Sequence, residues 1–80
     1  MTLNELDVVA LTRDRPEDGL PAGAVGTIVL VHNNGEAYIV EFGASNGTMI
    51  AVPTILAAGV RLATADDIAR YRKQRPAAAE

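Results

Sequence analysis

Apolar and polar positions alternate most clearly over residues 36–42, EAYIVEF. Tyr38, Val40 and Phe42 recur at every second position. That period predicts a half-buried strand with these three side chains facing a core and Glu36 and Glu41 facing water. Ile39 interrupts the polar side. Residues 25–32 (VGTIVLVH) form a second predicted strand, and Asn34-Gly35 between the two reads as a type I′ turn, whose central residues both need φ > 0. Residues 23–42 therefore predict a long β-hairpin. Gly26 stands inside its first strand, where glycine marks a bend, a bulge or the close approach of another backbone.

The flanking segments complete a mainly β pattern. Residues 6–12 predict a first strand, and residues 13–22, with two prolines, a glycine and mixed charge, a loop. After a turn at 43–47, residues 48–52 predict a fourth strand, ended by Pro53, which cannot donate to a ladder. Residues 54–59 read as one helical or 3-10 turn and residues 60–63 as a short fifth strand. The pattern then changes. Thr64 followed three residues later by Asp67 resembles a capping box with Asp in the Glu position. Asp66 and Asp67 precede Arg70, Arg72, Lys73 and Arg75, the polarity a helix dipole favours. Residues 65–74 are thus expected to be helical, ending before Pro76. The expected organisation is a five-stranded small barrel over 1–63, a short C-terminal helix over 64–75 and a tail over 76–80.

Composition bounds this picture. Eighty residues make one domain with a small core. Apolar residues make up 49%, too many for a disordered chain, and only Tyr38, Phe42 and Tyr71 are aromatic, so the core must be mostly aliphatic. The absence of cysteine excludes disulfides and thiolate metal sites. No basic-then-apolar leader and no run of about 18 apolar residues is present, so a cytoplasmic protein without membrane contact is expected. The net charge of −3 argues against nucleic acid as the main partner. The negative charge lies in the first 63 residues, whereas the last 17 are slightly basic.

Four features invite a functional reading. Gly19, Gly23 and Gly26 surround a loop, but their spacing fits neither phosphate-binding fingerprint, and turn glycines are the simpler account. His32 is the sole histidine and has no neighbouring base or ligand in the sequence, which leaves a surface turn or partner-contact role. Asp14, Glu17 and Asp18 make an acidic loop without the stepwise ligand spacing of a calcium loop. They are candidates for a patch facing a partner, as are Ile55 and Leu56 in the hydrophobic turn. Arg70, Arg72, Lys73 and Arg75 are candidates for nucleic-acid contact, although basic residues at a helix C-terminus are ordinary dipole complements. No Ser or Thr has a base-and-orienter arrangement. The residues thus suggest no catalytic group, no cofactor and no metal.

The stretches DVVALTRDRPEDGLPAGAVGTIVLV, GEAYIVEF and NGTMIAV, and the Ala-Gly-Val-Arg near the fifth strand, resemble a family of small bacterial proteins described only as domain of unknown function 4926. The resemblance covers residues 6–62. More distantly, Asp7, Val9, Leu11, Gly23, Gly26 and Ile28 stand where the SH3-like barrel of the nitrile hydratase β subunit, and KOW modules, place an Asp-x-Val-x-Val strand before a Gly-x-x-Gly-x-Val strand. These resemblances imply an SH3-like, strongly bent five-stranded barrel. The family also looks like a frequent companion of a second small gene, which implies a toxin–antitoxin or effector–immunity pair. The chain departs from the family at Ile55-Leu56-Ala57-Ala58-Gly59, where members carry a Leu-Pro-Ala-Asp type of turn, and in the added helix. An apolar turn there exposes hydrophobic surface, a common mark of a contact site. The expected function is a non-enzymatic module that binds another protein. The alternatives are an RNA- or ribosome-binding KOW-like module and an accessory domain for an enzyme.

Overall fold

The computed structural model describes residues 3–43 and 49–74. Its elements are β1 (Val8–Leu11), β2 (Val25–His32), β3 (Ala37–Gly43), β4 (Met49–Ala51), β5 (Thr54–Leu56), β6 (Val60–Leu62) and α1 (Ala65–Gln74). All strands pair antiparallel in one sheet of order β4-β3-β2-β1-β6, with β5 also on β3. The ends of the sheet are not joined, so it curls without closing, and the arrangement is compatible with an SH3-like small barrel. The chain is mainly β with a short C-terminal helix, as the alternation predicts.

Among the described residues the strands number six rather than five. Of residues 54–59, expected to form one helical or 3-10 turn, Ala57–Gly59 does make a 3-10 turn. Thr54–Leu56 is a strand, with Ala37 opposite Leu56, Tyr38 opposite Ile55 and Ile39 opposite Thr54. Pro53 ends β4 without ending the pairing, because its carbonyl still accepts from Val40 N at 3.1 Å. Two short strands thus share one edge of β3: β4 takes the Phe42 end and β5 the Ala37 end.

The central hairpin differs from its expected form at the tip. His32 pairs with Ala37, so four residues connect the strands rather than two. Asn34 and Gly35 do have positive φ, at 57° and 103°, and Asn33 joins them at 47°. Glu36 therefore falls in the turn instead of on the wet face of β3. At the N-terminus, β1 begins two residues later than predicted, because Leu6 turns into the left-handed region at φ 71°. Even so, Leu6 N donates to Ile28 O at 2.8 Å and Ile28 N to Asp7 O at 3.0 Å, which ties the segment to β2.

One face of the sheet forms the core. Val9, Leu11, Ile28, Tyr38, Val40, Phe42 and Ile55 are all buried there, joined by Leu20 and Val60. Each such side chain contributes about 1.5–3 kcal/mol on burial. Tyr38 satisfies its hydroxyl by accepting from Leu3 N at 3.2 Å. Gly26 makes this packing possible: a Cβ there would lie 2.8 Å from Glu41 O and 2.8 Å from Val40 Cγ1. A bulge follows at Val29, since the β2–β3 register shifts between Ile28 and Leu30.

The capping box forms as the sequence predicts. Thr64 Oγ1 accepts from Asp67 N at 3.1 Å, and Asp67 Oδ2 accepts from Thr64 N at 2.8 Å. Asp67 is buried and also receives a fork from Arg61 of β6, at 2.6 and 3.0 Å. This pair, with Tyr71 buried in the core cluster, fixes α1 against the sheet. Ile68, Tyr71 and Arg72 line one depression with Val25, Thr27 and Glu41, so the helix lies over the N-terminal half of β2.

Candidate protein-contact face

In an antiparallel sheet, residues directly opposite each other share a face, and so do residues i and i+2 of one strand. The register therefore sets Leu30, Ile39 and Thr54 in one row and His32, Ala37 and Leu56 in the next, all on the outer face. The bulge at Val29 moves Leu30 to this side. Leu30 is 41% exposed and Leu56 73% exposed, and Ile39 is half-buried between Leu30 and Thr54. Val29 and Val52, exposed at 41% and 43%, add further apolar surface nearby. This half of the outer face lies beyond the part that α1 covers. The result is an apolar surface centred on Ile39, with His32, Thr54 and Glu41 supplying polar groups around it.

The structure separates Ile55 from Leu56. Strand alternation points Ile55 into the core, where it is 2% exposed, and Leu56 outward. Ile55 therefore presents no side chain to a partner and instead stands opposite Tyr38 in the core. Leu30 and Ile39 join Leu56 in its place. The signal for Ile39 was present in the sequence as the interruption of the polar side, whereas Leu30 reaches this face only through the bulge.

The acidic loop is held by its own contacts. Asp14 Oδ1 accepts from Ala22 N at 2.7 Å. Arg15 Nε donates to Asp18 at 2.8 Å, and Arg15 stands 3.7 Å from Glu17. Arg15 thereby offsets much of the negative field of Glu17 and Asp18. The loop also turns basic groups toward β5: Arg13 and Arg15 share a depression of about 200 Å³ with Thr54, Ile55, Leu56, Ala58 and Gly59.

The basic helix is partly self-neutralised. Arg70 bridges Asp66 at 2.9 Å and Asp67 at 3.5 Å. Arg72 is exposed. The Lys73 side chain and Arg75 lie outside the described residues, as does the predicted tail. His32 is exposed at the end of β2, on the same face as Leu56. Gly19 and Gly23 take left-handed turn conformations at φ 69° and 87°.

A perturbed carboxylate belongs to the helix cap. The hydrogen bond from Arg61, then that from Thr64 N, holds the Asp67 carboxyl well below the usual carboxylate range. Its place is structural: it joins β6 to α1. Among the described residues no cluster of His, Asp and Glu could hold a metal ion, and no helix is long and apolar enough to cross a membrane.

Comparison with known proteins identifies a family of unknown function. No curated protein and no solved structure matches the chain. One family profile matches residues 5–62, from before β1 to the end of β6, leaving α1 outside. That span is well over half of the chain, so the protein belongs to the family described as domain of unknown function DUF4926.

Proposed function

We propose that this chain is a non-catalytic protein-binding module, and that its contact surface is the uncovered outer face of β2, β3 and β5. The observation that carries this reading is the set of three large apolar side chains, Leu30, Ile39 and Leu56, held side by side on the outer face and all outside the core cluster. Exposed apolar side chains of this kind reduce solubility unless something covers them, and a contiguous patch with a polar margin is the usual centre of an interface. The family resemblance suggests a specific version, a neutraliser of a neighbouring gene's protein product. Contact with RNA through the helix has weaker support, because Arg70 is already paired with Asp66 and Asp67.

Native co-purification tests this. The tagged chain is expected to retain a stoichiometric protein from its source cells, and Leu30→Asp to lose it while keeping the wild-type circular dichroism spectrum. A folded Leu30→Asp protein that retains every partner removes the face from consideration. Retained RNA that is lost on Arg72→Glu would favour the helix instead.

A further inference from the structure

Two edge strands of the sheet, β6 and β5, are protected differently. Unpaired strand edges are templates for added strands, and proteins blunt them with charge, proline, bulges or covering elements. The β6 edge is followed at once by α1, and its central residue Arg61 is clamped to Asp67. The β5 edge has no such guard. Its residues are Thr54, Ile55 and Leu56, with no charge among them, and among the described residues β5 pairs with β3 alone.

The backbone of β5 shows which groups are available. Ala57 N donates to Glu36 O at 3.0 Å, and Pro53 O accepts from Val40 N at 3.1 Å. Backbone groups alternate direction along an antiparallel strand. The N–H and C=O of both Thr54 and Leu56 therefore turn away from β3, toward the open edge. Beside these groups lies the depression lined by Arg13 and Arg15. Arg15 is committed to Asp18 and Glu17, whereas Arg13 is exposed and has no ion pair among the described residues.

We propose that the β5 edge receives an extended acidic segment of a partner protein, which adds as a strand and sets a carboxylate against Arg13. Main-chain hydrogen bonds to Thr54 and Leu56 supply the docking, and Arg13 with the exposed Leu56 side chain supplies selectivity. Charge complementarity decides the occupant. A second copy pairing β5 with β5 would bring two Arg13–Arg15 depressions together, and residues 53–59 contain no acid to answer them. The proposal rests on the protein-binding reading above but requires the edge as well as the face.

Leu56 offers a clean test, because its φ is −62°, the value proline imposes, and its N–H makes no bond to β3. Leu56→Pro therefore deletes the edge donor with the strand retained, while Leu56→Ala keeps the donor and trims the side chain. The probe is a soluble peptide of about seven residues alternating valine and glutamate. Binding is followed by amide chemical shifts in the protein. The expected result is shifts at Thr54, Leu56 and Arg13. Affinity should fall about tenfold or more on Leu56→Pro or Arg13→Ala, and less on Leu56→Ala. The same peptide with lysine in place of glutamate is expected to bind at least about tenfold more weakly. No shift at Thr54–Leu56 with millimolar peptide overturns the proposal, as does equal binding to a Leu56→Pro protein whose spectrum shows it folded. Concentration-dependent dimerisation abolished by Leu56→Pro would overturn it in favour of a second copy. Loss of the native partner on Leu30→Asp but not on Leu56→Pro would leave the protein-binding function standing and reject strand addition alone.

Discussion

Gly26→Ala separates two physical arguments that give opposite signs. Propensity favours the alanine: glycine in a strand interior costs roughly 0.5–1 kcal/mol, chiefly through the entropy of the unfolded chain. The structure reverses this. A Cβ at Gly26 would stand 2.8 Å from Glu41 O, 2.8 Å from Val40 Cγ1 and 2.9 Å from Phe42 Cδ1. None of these neighbours can yield easily. Glu41 is held in register opposite Thr27, and Val40 and Phe42 are fully buried in a close-packed interior. Overpacking of this kind costs about 1–3 kcal/mol. With a central cost of about 2 kcal/mol and about 4–8 °C per kcal/mol for a domain of this size, the melting temperature should fall by roughly 8–16 °C. Urea unfolding of the two proteins checks the free energy directly, with an unchanged slope showing that stability alone has moved. A Gly26→Ala protein as stable as the parent, or more so, would refute the close approach of β2 and β3.

Three further outcomes follow from the geometry. Phe42→Ala should cost about 3–5 kcal/mol and Glu41→Ala under about 0.5 kcal/mol, because one is fully buried and the other lies on the wet face; equal denaturant midpoints would contradict the register. Gly35→Val should cost more than about 1 kcal/mol, since Gly35 sits at φ 103°, a backbone that β-branched residues avoid, and Gly35→Asn should cost less in the same melts. The stability that Asp67 supplies is pH-dependent in a fixed direction. Its carboxyl is depressed below the ordinary 3.8, so that contribution is complete above this value and is lost as pH falls beneath it. Stability measured from pH 5 to pH 2 should thus fall less steeply in Asp67→Asn than in the parent, and identical profiles would count against the Arg61–Asp67 link.

Local patterns were the legible part of this fold. The capping box, the face of Tyr38, Val40 and Phe42, the positive φ at Asn34 and Gly35 and the special place of Gly26 each depend on a few adjacent residues, and each is found. What was not legible depends on pairing across long separations. Thr54-Ile55-Leu56 followed by Ala-Ala-Gly looks helical after a proline, and only β3 alongside makes it a strand. That error carried into the site, because a turn would expose Ile55 and Leu56 together, whereas a strand buries one and presents the other. The bulge at Val29, which brings Leu30 to the outer face beside Ile39, has no marker in the residues themselves. The contacts of Arg15 with Glu17 and Asp18 follow from how the loop folds back, which composition does not reveal.

Hydrogen exchange on the native complex tests the central claim most directly, because it reports which backbone amides a partner covers without altering any residue. The apolar outer face predicts slowed exchange on complex formation at Leu30, Ile39 and Thr54–Leu56, with the amides of Ala65–Gln74 unchanged. Protection confined to Ala65–Gln74, with the β2–β3–β5 face exchanging as in the free protein, would contradict it.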